Sequence, residues 1–217
     1  MTNIQNLLFD LDGTLTDPRE GIINSILYAL DHLGIEESRV NELNSLIGPP
    51  LRESFIKRYN LSEKMGDRAL KLYREYFGVK GIYENRLYEG VDNVLESLYE
   101  TKFRIFLATS KPTVYATEIL KHFNLDRFFT DITGSNIDNT RTDKSEVIAH
   151  VVNSNTLITK HSVMIGDRKH DLIGARNNNM RSVAVTYGYG TTGELRAEHP
   201  DLLVNSCREL IPAFIKS

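Results

Sequence analysis

The sequence has a single cysteine, Cys207, among its 217 residues. An internal disulfide is therefore excluded, as is a zinc site built from several cysteines, and a reducing compartment is indicated. The sequence also lacks an apolar run that approaches the roughly 20 residues of a membrane-spanning helix. Its first residues carry no signal-peptide pattern. Together these absences predict a cytoplasmic protein with no membrane partner.

Neither sign of charge is in large excess. Lysine and arginine number 26 against 29 aspartate and glutamate, for a formal net charge of −3. No basic tract of the kind that follows a phosphate backbone is present, so a nucleic acid polymer is not the expected partner. Hydrophobic residues make up 41% and charged residues 25%, which is typical of a folded globular protein. The length allows one domain plus a smaller one.

Apolar runs and helical patterns alternate over most of the chain. Short apolar runs predict strands at residues 7–9, 104–108, 129–133, 162–165 and 182–185, with a weaker candidate at 202–204. Helical spacing of apolar residues predicts helices between them at 91–99, 114–123, 144–152 and 172–178. Such alternation predicts βαβ units. The expected fold class is α/β, with a Rossmann-like, mostly parallel sheet covered by helices on both faces.

One long stretch departs from this alternation. After a helix predicted at 21–33, the chain has only helical patterns as far as residue 88, at 40–46, 51–59 and 63–77. A helical block between one strand and the next βα unit indicates an inserted domain. We expect an α/β core domain formed by residues 1–16 and 90–217, and an all-helical domain formed by residues 17–89.

The first predicted strand ends in two carboxylates. Asp10 and Asp12 follow the apolar run, and Gly13 and Thr14 come directly after them. Alternate residues of a strand point the same way, so both carboxylates can begin on one side before Gly13 lets the backbone turn. Adjacent carboxylates repel unless a cation neutralises them or one binds a proton, and Mg2+ prefers such oxygen ligands. The alternative is an Asx turn, in which Asp12 bonds its own backbone.

Two hydroxyl groups follow the strand predicted at 104–108. Thr109 and Ser110 stand just before Pro112 and a predicted helix. The unpaired backbone N–H groups at a helix start can bind a phosphate oxygen together with such a hydroxyl. A plain helix N-cap is the competing interpretation.

A lysine begins the helix predicted at 144–152. Lys144 opposes the helix dipole at this position unless an anion accepts its charge. Arg141 lies close enough in sequence to compete for the same role, and a solvated surface lysine is the structural alternative.

The strand predicted at 162–165 ends in Gly166 and Asp167, and Asp171 follows four residues later. Because ligands gather at the carboxyl ends of parallel strands, both carboxylates are candidate site residues. Asp171 can also be a plain N-cap, since helical spacing resumes directly after it.

These motifs, in this order, resemble the four motifs of the haloacid dehalogenase-like hydrolases. The first matches Asp10-Leu11-Asp12-Gly13-Thr14-Leu15, and the others match Thr109, Lys144, and Gly166-Asp167 with Asp171. The helical insertion resembles that family's cap domain. The resemblance implies a Mg2+-dependent phosphatase, a phosphoric monoester hydrolase that works through an aspartyl-phosphate.

The same resemblance implies the role of each residue. Asp10 would be the nucleophile, and Asp12 would protonate the leaving group and later accept a proton from water. Mg2+ would be held by Asp10, the backbone carbonyl of Asp12 and Asp167, with Asp171 binding it directly or through water. The phosphoryl oxygens would be bound by Thr109 and Lys144, with the backbone amide of Ser110 as a further donor.

The expected partner is a small phosphorylated metabolite. Among family members with a small helical cap, the chain looks most like phosphoglycolate phosphatases and the nucleotidases close to them. A sugar-phosphate mutase on the same motifs is one alternative, and a non-enzymatic module that binds a phosphate ligand or a protein is another. Arg52 is the expected substrate contact in the cap. The substrate itself and the oligomeric state are not readable from the sequence.

Overall fold

The computed structural model describes residues 3–138 and 140–215. Its strands are β1 Asn6–Phe9, β2 Thr16–Asp17, β3 Arg86–Leu87, β4 Arg104–Pro112, β5 Asp131–Ser135, β6 Ser162–Gly166, β7 Arg181–Val185 and β8 Leu202–Val204. Its α-helices are α1 Arg19–Leu33, α2 Leu51–Tyr59, α3 Glu63–Tyr76, α4 Val91–Glu100, α5 Thr113–His122, α6 Lys144–Ser154, α7 Lys169–Asn177, α8 Thr192–Ala197 and α9 Leu210–Phe214. Shorter 3-10 turns are Val40–Leu46, Asp126–Phe128, Thr159–His161 and Cys207–Glu209, and Phe77–Gly81 is a π-helix.

The described residues form a six-stranded sheet in the order β5-β4-β1-β6-β7-β8. Its strand pairs are parallel. From β1 the chain first builds outward through β4 and β5, and then in the opposite direction through β6, β7 and β8. A parallel sheet forms a ligand site at its carboxyl edge where the direction of building reverses. The predicted α/β class is confirmed, and the expected site lies at the tip of β1.

β1 lies inside the sheet, between β4 and β6, and is apolar after Asn6. Leu7, Leu8 and Phe9 are each 0% exposed, as a parallel strand covered on both faces requires. Leu8 belongs to a buried cluster with Phe106 of β4 and Met164 of β6. Burying a side chain of this size stabilises the fold by about 1.5–3 kcal/mol. The strand that carries the first carboxylates is therefore held by the core.

Two strands have different bounds from those predicted. β4 continues to Pro112 instead of ending at 108. Residues 109–112 have no apolar pattern, but they stay beside β5 through an irregular pairing. β5 begins at Asp131, since the preceding apolar residues complete a 3-10 turn in which Phe128 is buried.

The chain folds into two compact units. The core unit comprises the described residues up to Asp17 and from Leu87 onward, and the helical unit is Pro18–Arg86. The sequence-based boundaries, after residue 16 and before residue 90, lie within three residues of these. Among the described residues, no helix is both long enough and apolar enough to cross a membrane.

The helical unit contains α1, α2 and α3. α3 begins after Ser62, whose hydroxyl accepts the backbone N–H of Met65 at 3.3 Å, a side-chain N-cap. The segment predicted as a helix at 40–46 is a 3-10 helix, and the helix predicted at 63–77 gives way to the π-helix after Tyr76. In both cases the type of helix differs, because its backbone hydrogen bonds follow a different pattern. The spacing of apolar residues does not distinguish these helix types.

Candidate active site

Three buried carboxylates meet at the carboxyl edge of the sheet. Asp10 follows β1, Asp167 follows β6, and Asp171 lies in the first turn of α7. One oxygen of each lies within 4.8 Å of the others, and the three residues are 7%, 0% and 1% exposed. They converge because β1 and β6 are parallel neighbours that end side by side, with Phe9 opposite Ile165.

Asp171 is not the N-cap of its helix. α7 begins at Lys169 with Arg168 as the N-cap, and Oδ2 of Asp171 accepts the backbone N–H of Arg168 at 3.0 Å. The carboxylate therefore satisfies a helix-start amide with one oxygen and presents the other to the site. The sequence pattern placed the helix three residues late because Lys169 and His170 are polar.

A buried lysine lies between two of these carboxylates. Nζ of Lys144 lies 2.7 Å from Oδ1 of Asp10 and 2.8 Å from Oδ1 of Asp171, and its side chain is 5% exposed. It also donates to the carbonyl oxygen of Ala108 at 3.0 Å. Lys144 is the first residue of α6, where its charge is unfavourable without an anion. The carboxylates of Asp10 and Asp171 supply the negative charge that Lys144 needs there.

Arg141, the competing residue, has a different environment. Its guanidinium donates twice to the carbonyl oxygen of Gly134 in β5, at 2.9 and 3.0 Å, and once to Asn136 at 3.1 Å. Of the two candidates, the structure brings Lys144 to the carboxylates.

Burial is the largest effect on the pKa of each of three groups in this cluster, and neighbouring charges add to that effect or oppose it. Burial raises the pKa of Asp167 well above its ordinary value, and the neighbouring charges of Asp171 and Asp10 raise it further. Burial also raises the pKa of Asp171, to about 6, although Lys144 opposes the change. Burial is the largest effect on Lys144 and lowers its pKa, but Asp10 and Asp171 together reverse this, so the pKa is raised and the ammonium stays charged.

The donor set fits a hard divalent cation. Carboxylate oxygens are the ligands that Mg2+ prefers, and one lysine cannot neutralise three carboxylates. Oδ1 of Asp167 is buried and has no hydrogen-bond partner within the part of the chain that the structure describes. Gly13 has φ +88°, and a Cβ there would lie 2.2 Å from Oδ2 of Asp167, so the turn after β1 needs glycine on both counts. Asp10, Asp167 and Asp171 can hold such an ion.

The Tyr-Gly-Tyr-Gly segment after β7 positions Asp167. The backbone N–H of Tyr189 donates to Oδ2 of Asp167 at 2.7 Å, and the hydroxyl of Tyr187 donates to the carbonyl oxygen of Thr14 at 2.9 Å. The hydroxyl of Tyr189 hydrogen-bonds Asp17. The contact between this segment and Asp167 is visible only in three dimensions.

Asp12 is paired with a lysine to which the sequence patterns assigned no role. Nζ of Lys111 lies 2.9 Å from Oδ2 of Asp12, and the two side chains are 6% and 14% exposed. Burial raises the pKa of Asp12, and Lys111 opposes the change. The carboxylate of Asp12 is not part of the three-carboxylate group, and metal binding by its backbone carbonyl stays a prediction. The available signal was the position of Lys111, two residues after Thr109.

Thr109 and Ser110 lie within β4 and do not cap a helix. α5 begins at Thr113 and its N-cap, Pro112, makes no side-chain cap bond, so the N-cap interpretation is wrong. Thr109 is 2% exposed and its hydroxyl accepts the N–H of Lys111 at 3.3 Å. Ser110 accepts a hydrogen bond at its carbonyl oxygen. Phosphate binding by these two residues stays a prediction.

Arg52 lies on α2 in the helical unit. Its Nε is 2.6 Å from Oδ1 of Asp67 and its Nη2 is 2.7 Å from Oε2 of Glu63. Its contact with a substrate stays a prediction.

Comparison with known proteins defines the class. The family model for haloacid dehalogenase-like hydrolases matches residues 7–185, which include all the predicted site residues of the core. The chain belongs to the haloacid dehalogenase-like hydrolase family. Its phosphatase and nucleotidase relatives indicate that it is an enzyme of the phosphatase type.

Individual relatives carry several activities. The chain is 49% identical over 195 residues to a 5′-nucleotidase of Pseudomonas aeruginosa, covering 90% of this chain and 88% of that protein. It is 35% identical over 186 residues to the tyrosine-protein kinase PtkA of Mycobacterium tuberculosis, covering 86% of this chain but only 63% of the kinase. It is 27% identical over 217 residues to a phosphoglycolate phosphatase of Vibrio parahaemolyticus, covering 96% and 95%.

A solved structure has the same fold. The crystal structure of a predicted phosphatase from Clostridium acetobutylicum superposes with a TM-score of 0.93 at 41% identity, covering 99% of this chain and 100% of that one.

Proposed function

We propose that this chain is a Mg2+-dependent phosphatase that hydrolyses a small phosphate monoester through an aspartyl-phosphate formed on Asp10. One observation carries the proposal. The carboxylate of Asp10 stands at the tip of β1, 2.7 Å from the buried ammonium of Lys144 and grouped with Asp167 and Asp171. A carboxylate held this way is a fixed nucleophile beside a cation that can receive the charge of a phosphoryl group.

The reaction divides into two displacements at phosphorus. An oxygen of Asp10 attacks the phosphorus, and the bond from phosphorus to the ester oxygen breaks as Asp12 gives that oxygen its proton. A water molecule then attacks the phosphorus of the aspartyl-phosphate, and Asp12 takes a proton from this water. Inorganic phosphate leaves and the carboxylate of Asp10 is restored. Lys144 and Thr109 bind the phosphoryl oxygens through both steps.

Asp10, Asp167 and Asp171 would hold Mg2+, and the positive charge of the ion would offset the repulsion between an anionic ester and the carboxylates. Tyr189 keeps Asp167 in place for this purpose, because its backbone N–H holds one oxygen of that carboxylate.

A nucleoside 5′-monophosphate is the first substrate to test. The relative named as a 5′-nucleotidase is 49% identical to this chain, against 27% for the phosphoglycolate phosphatase, at similar coverage. The greater overall identity to the 5′-nucleotidase supports the nucleotide as substrate. 2-Phosphoglycolate is the second candidate, and a hexose phosphate tests the mutase alternative.

The test is hydrolysis of p-nitrophenyl phosphate, followed by a panel of these metabolites. We expect turnover in MgCl2, none in excess EDTA, and none with Asp10→Asn under either condition. Quenching during turnover should leave phosphate on the peptide that contains Asp10. Equal turnover by Asp10→Asn would contradict the proposal, and an isomerised hexose phosphate without phosphate release would decide for the mutase.

A further inference from the structure

We infer that Lys111 is the positioning residue of Asp12. The ammonium of Lys111 binds Oδ2 of that carboxylate, and Oδ1 is then the oxygen that exchanges a proton with the leaving group. The inference rests on the proposed function, since it explains how the acid of that reaction is oriented.

The contact is short and largely removed from water. Nζ of Lys111 lies 2.9 Å from Oδ2 of Asp12, with the lysine side chain 6% and the aspartate side chain 14% exposed. Oδ1 of Asp12 is buried and has no hydrogen-bond partner among residues 3–138 and 140–215. One oxygen is thus fixed by a charge-assisted bond, and the other has no competing hydrogen bond from the described residues. A carboxylate held at one oxygen presents the second in a single direction, which is what efficient proton transfer requires.

An irregularity in the sheet places Lys111 there. β4 and β5 pair regularly as far as Ala108 opposite Thr133, but the next pair is Pro112 opposite Ser135. Four positions of β4 therefore pass two positions of β5, and the extra residues bulge out of the ladder. Bulges of this kind redirect side chains and are common beside active sites.

Neighbouring groups hold the bulge in one shape. A Cβ on Gly134 would lie 2.1 Å from the carbonyl oxygen of Lys111, so glycine is needed for this close approach. The hydroxyl of Ser135 donates to the carbonyl oxygen of Ser110 at 2.8 Å, and the N–H of Lys111 donates to the hydroxyl of Thr109 at 3.3 Å. These contacts fix the backbone of Lys111 relative to the sheet, and its ammonium then lies beside Asp12.

Each carboxylate of the first motif contacts a different buried lysine. Lys144 contacts Asp10, whereas Lys111 contacts Asp12. Loss of Lys144 should slow every phosphoryl transfer. Loss of Lys111 should slow only the transfers in which the departing oxygen needs a proton.

Leaving-group dependence tests this difference. p-Nitrophenolate departs without protonation, whereas the alkoxide of a nucleoside 5′-monophosphate needs a proton from Asp12. kcat/KM reports the chemistry up to transfer of the phosphoryl group to Asp10, so it is compared for the two substrates. We expect Lys111→Met to lower kcat/KM for the nucleotide about 100-fold more than for p-nitrophenyl phosphate, the scale of acid catalysis. Lys111→Arg, which keeps the cation, should recover most of the loss.

Matched variants separate positioning from general damage. Lys121→Met makes the same replacement at an exposed position of α5 and should leave both substrates unchanged. Adding Lys111→Met to Asp12→Asn should lower kcat/KM for the nucleotide no further than Asp12→Asn alone, because Lys111 acts through Asp12. Lys111→Gln replaces the methionine variant if that variant does not fold.

The outcomes distinguish the two proposals. Equal losses for both substrates with Lys111→Met, or no loss, would overturn the inference while an active wild type and an inactive Asp10→Asn uphold the phosphatase. A wild type that hydrolyses neither substrate would overturn both.

Discussion

Two ionic arrangements of similar composition lie in opposite environments of this protein. Lys144 of the core unit lies between Asp10 and Asp171, and Arg52 of the helical unit lies between Glu63 and Asp67. The core side chains are 5%, 11% and 1% exposed, whereas those of the helical unit are 25%, 77% and 62% exposed. Each arrangement has one cation and two carboxylates.

The environment decides what each arrangement can do. A buried charge has lost its hydration, so its partners must replace water, and removal of one partner leaves an uncompensated charge in the interior. An exposed pair exchanges its partner for water at little cost. The core arrangement can therefore change the energy of a bound anion, and the surface arrangement mainly orders two helices.

The largest effect is expected from Lys144→Met. Asp10 and Asp171 would lose their buried partner, so the free energy of unfolding in EDTA should fall by about 3–5 kcal/mol. Loss of a preorganised donor to the phosphoryl group should lower kcat about 10²–10³-fold. Urea unfolding and steady-state kinetics measure the two effects. A variant with wild-type activity and stability would remove the contrast between the two arrangements.

Mg2+ should stabilise the core arrangement alone. An ion that binds only the folded state raises the free energy of unfolding by about 2.7 kcal/mol at 100 times its dissociation constant. Thermal unfolding with and without MgCl2 measures this gain. Asp167→Asn should abolish it, whereas Asp67→Asn, a matched change in the surface arrangement, should retain it. An equal Mg2+ response in both variants would contradict the assignment of the metal ligands.

Glu37 is a buried carboxylate within the helical unit. Its Oε2 accepts from Nε of Arg58 at 2.8 Å and from the hydroxyl of Tyr59 at 2.6 Å, and its side chain is 4% exposed. The hydrogen bond from Arg58 is the main reason that the pKa of Glu37 falls from its ordinary 4.5 to about 2. Glu37→Gln should therefore cost about 1.5–3 kcal/mol at neutral pH, the range for hydrogen bonds to a charged group.

The sign of its pH dependence follows from the lowered pKa. A carboxylate with a depressed pKa contributes stability above its ordinary pKa, and this contribution is lost as the pH falls toward the folded value. The difference between wild type and Glu37→Gln in urea unfolding should be constant above about pH 5 and shrink between about pH 4.5 and pH 2. A difference that grew on acidification would contradict this assignment.

The smallest effect is expected from Arg52→Met. Its guanidinium already contacts two carboxylates at the surface, so we expect little change in the urea midpoint and an unchanged KM. The sequence-based expectation of a substrate contact predicts a raised KM with kcat less affected. Kinetics with the preferred substrate decide between these two expectations, and a raised KM would support Arg52 as a substrate contact.

The order of elements was predictable because it depends on local patterns. The apolar run of β1, the alternation of strands with helices, and the helical stretch inserted after Asp17 all follow from the spacing of apolar residues. Asp10 and Asp167 were identifiable as neighbours for the same reason, since parallel strands end at a common edge.

The bulge in β4 and the choice between neighbouring cations were not predictable. Residues 109–112 have no apolar pattern, and their conformation depends on the partner strand β5 and on the close approach at Gly134. Lys144 and Arg141 carry the same charge and are close in sequence. Lys144 begins α6 and reaches Asp10, whereas Arg141 lies before that helix and its guanidinium donates to Gly134 of β5.

Residue order alone was enough to specify an α/β hydrolase of this family and the positions of its acidic motifs, because hydrophobic periodicity and strand ends are local properties. Which lysine serves which carboxylate was settled only by folding. Hydrogen bonds and ion pairs between distant segments depend on strand register and on distances of a few ångströms, and neither is encoded in the spacing of residues along the chain.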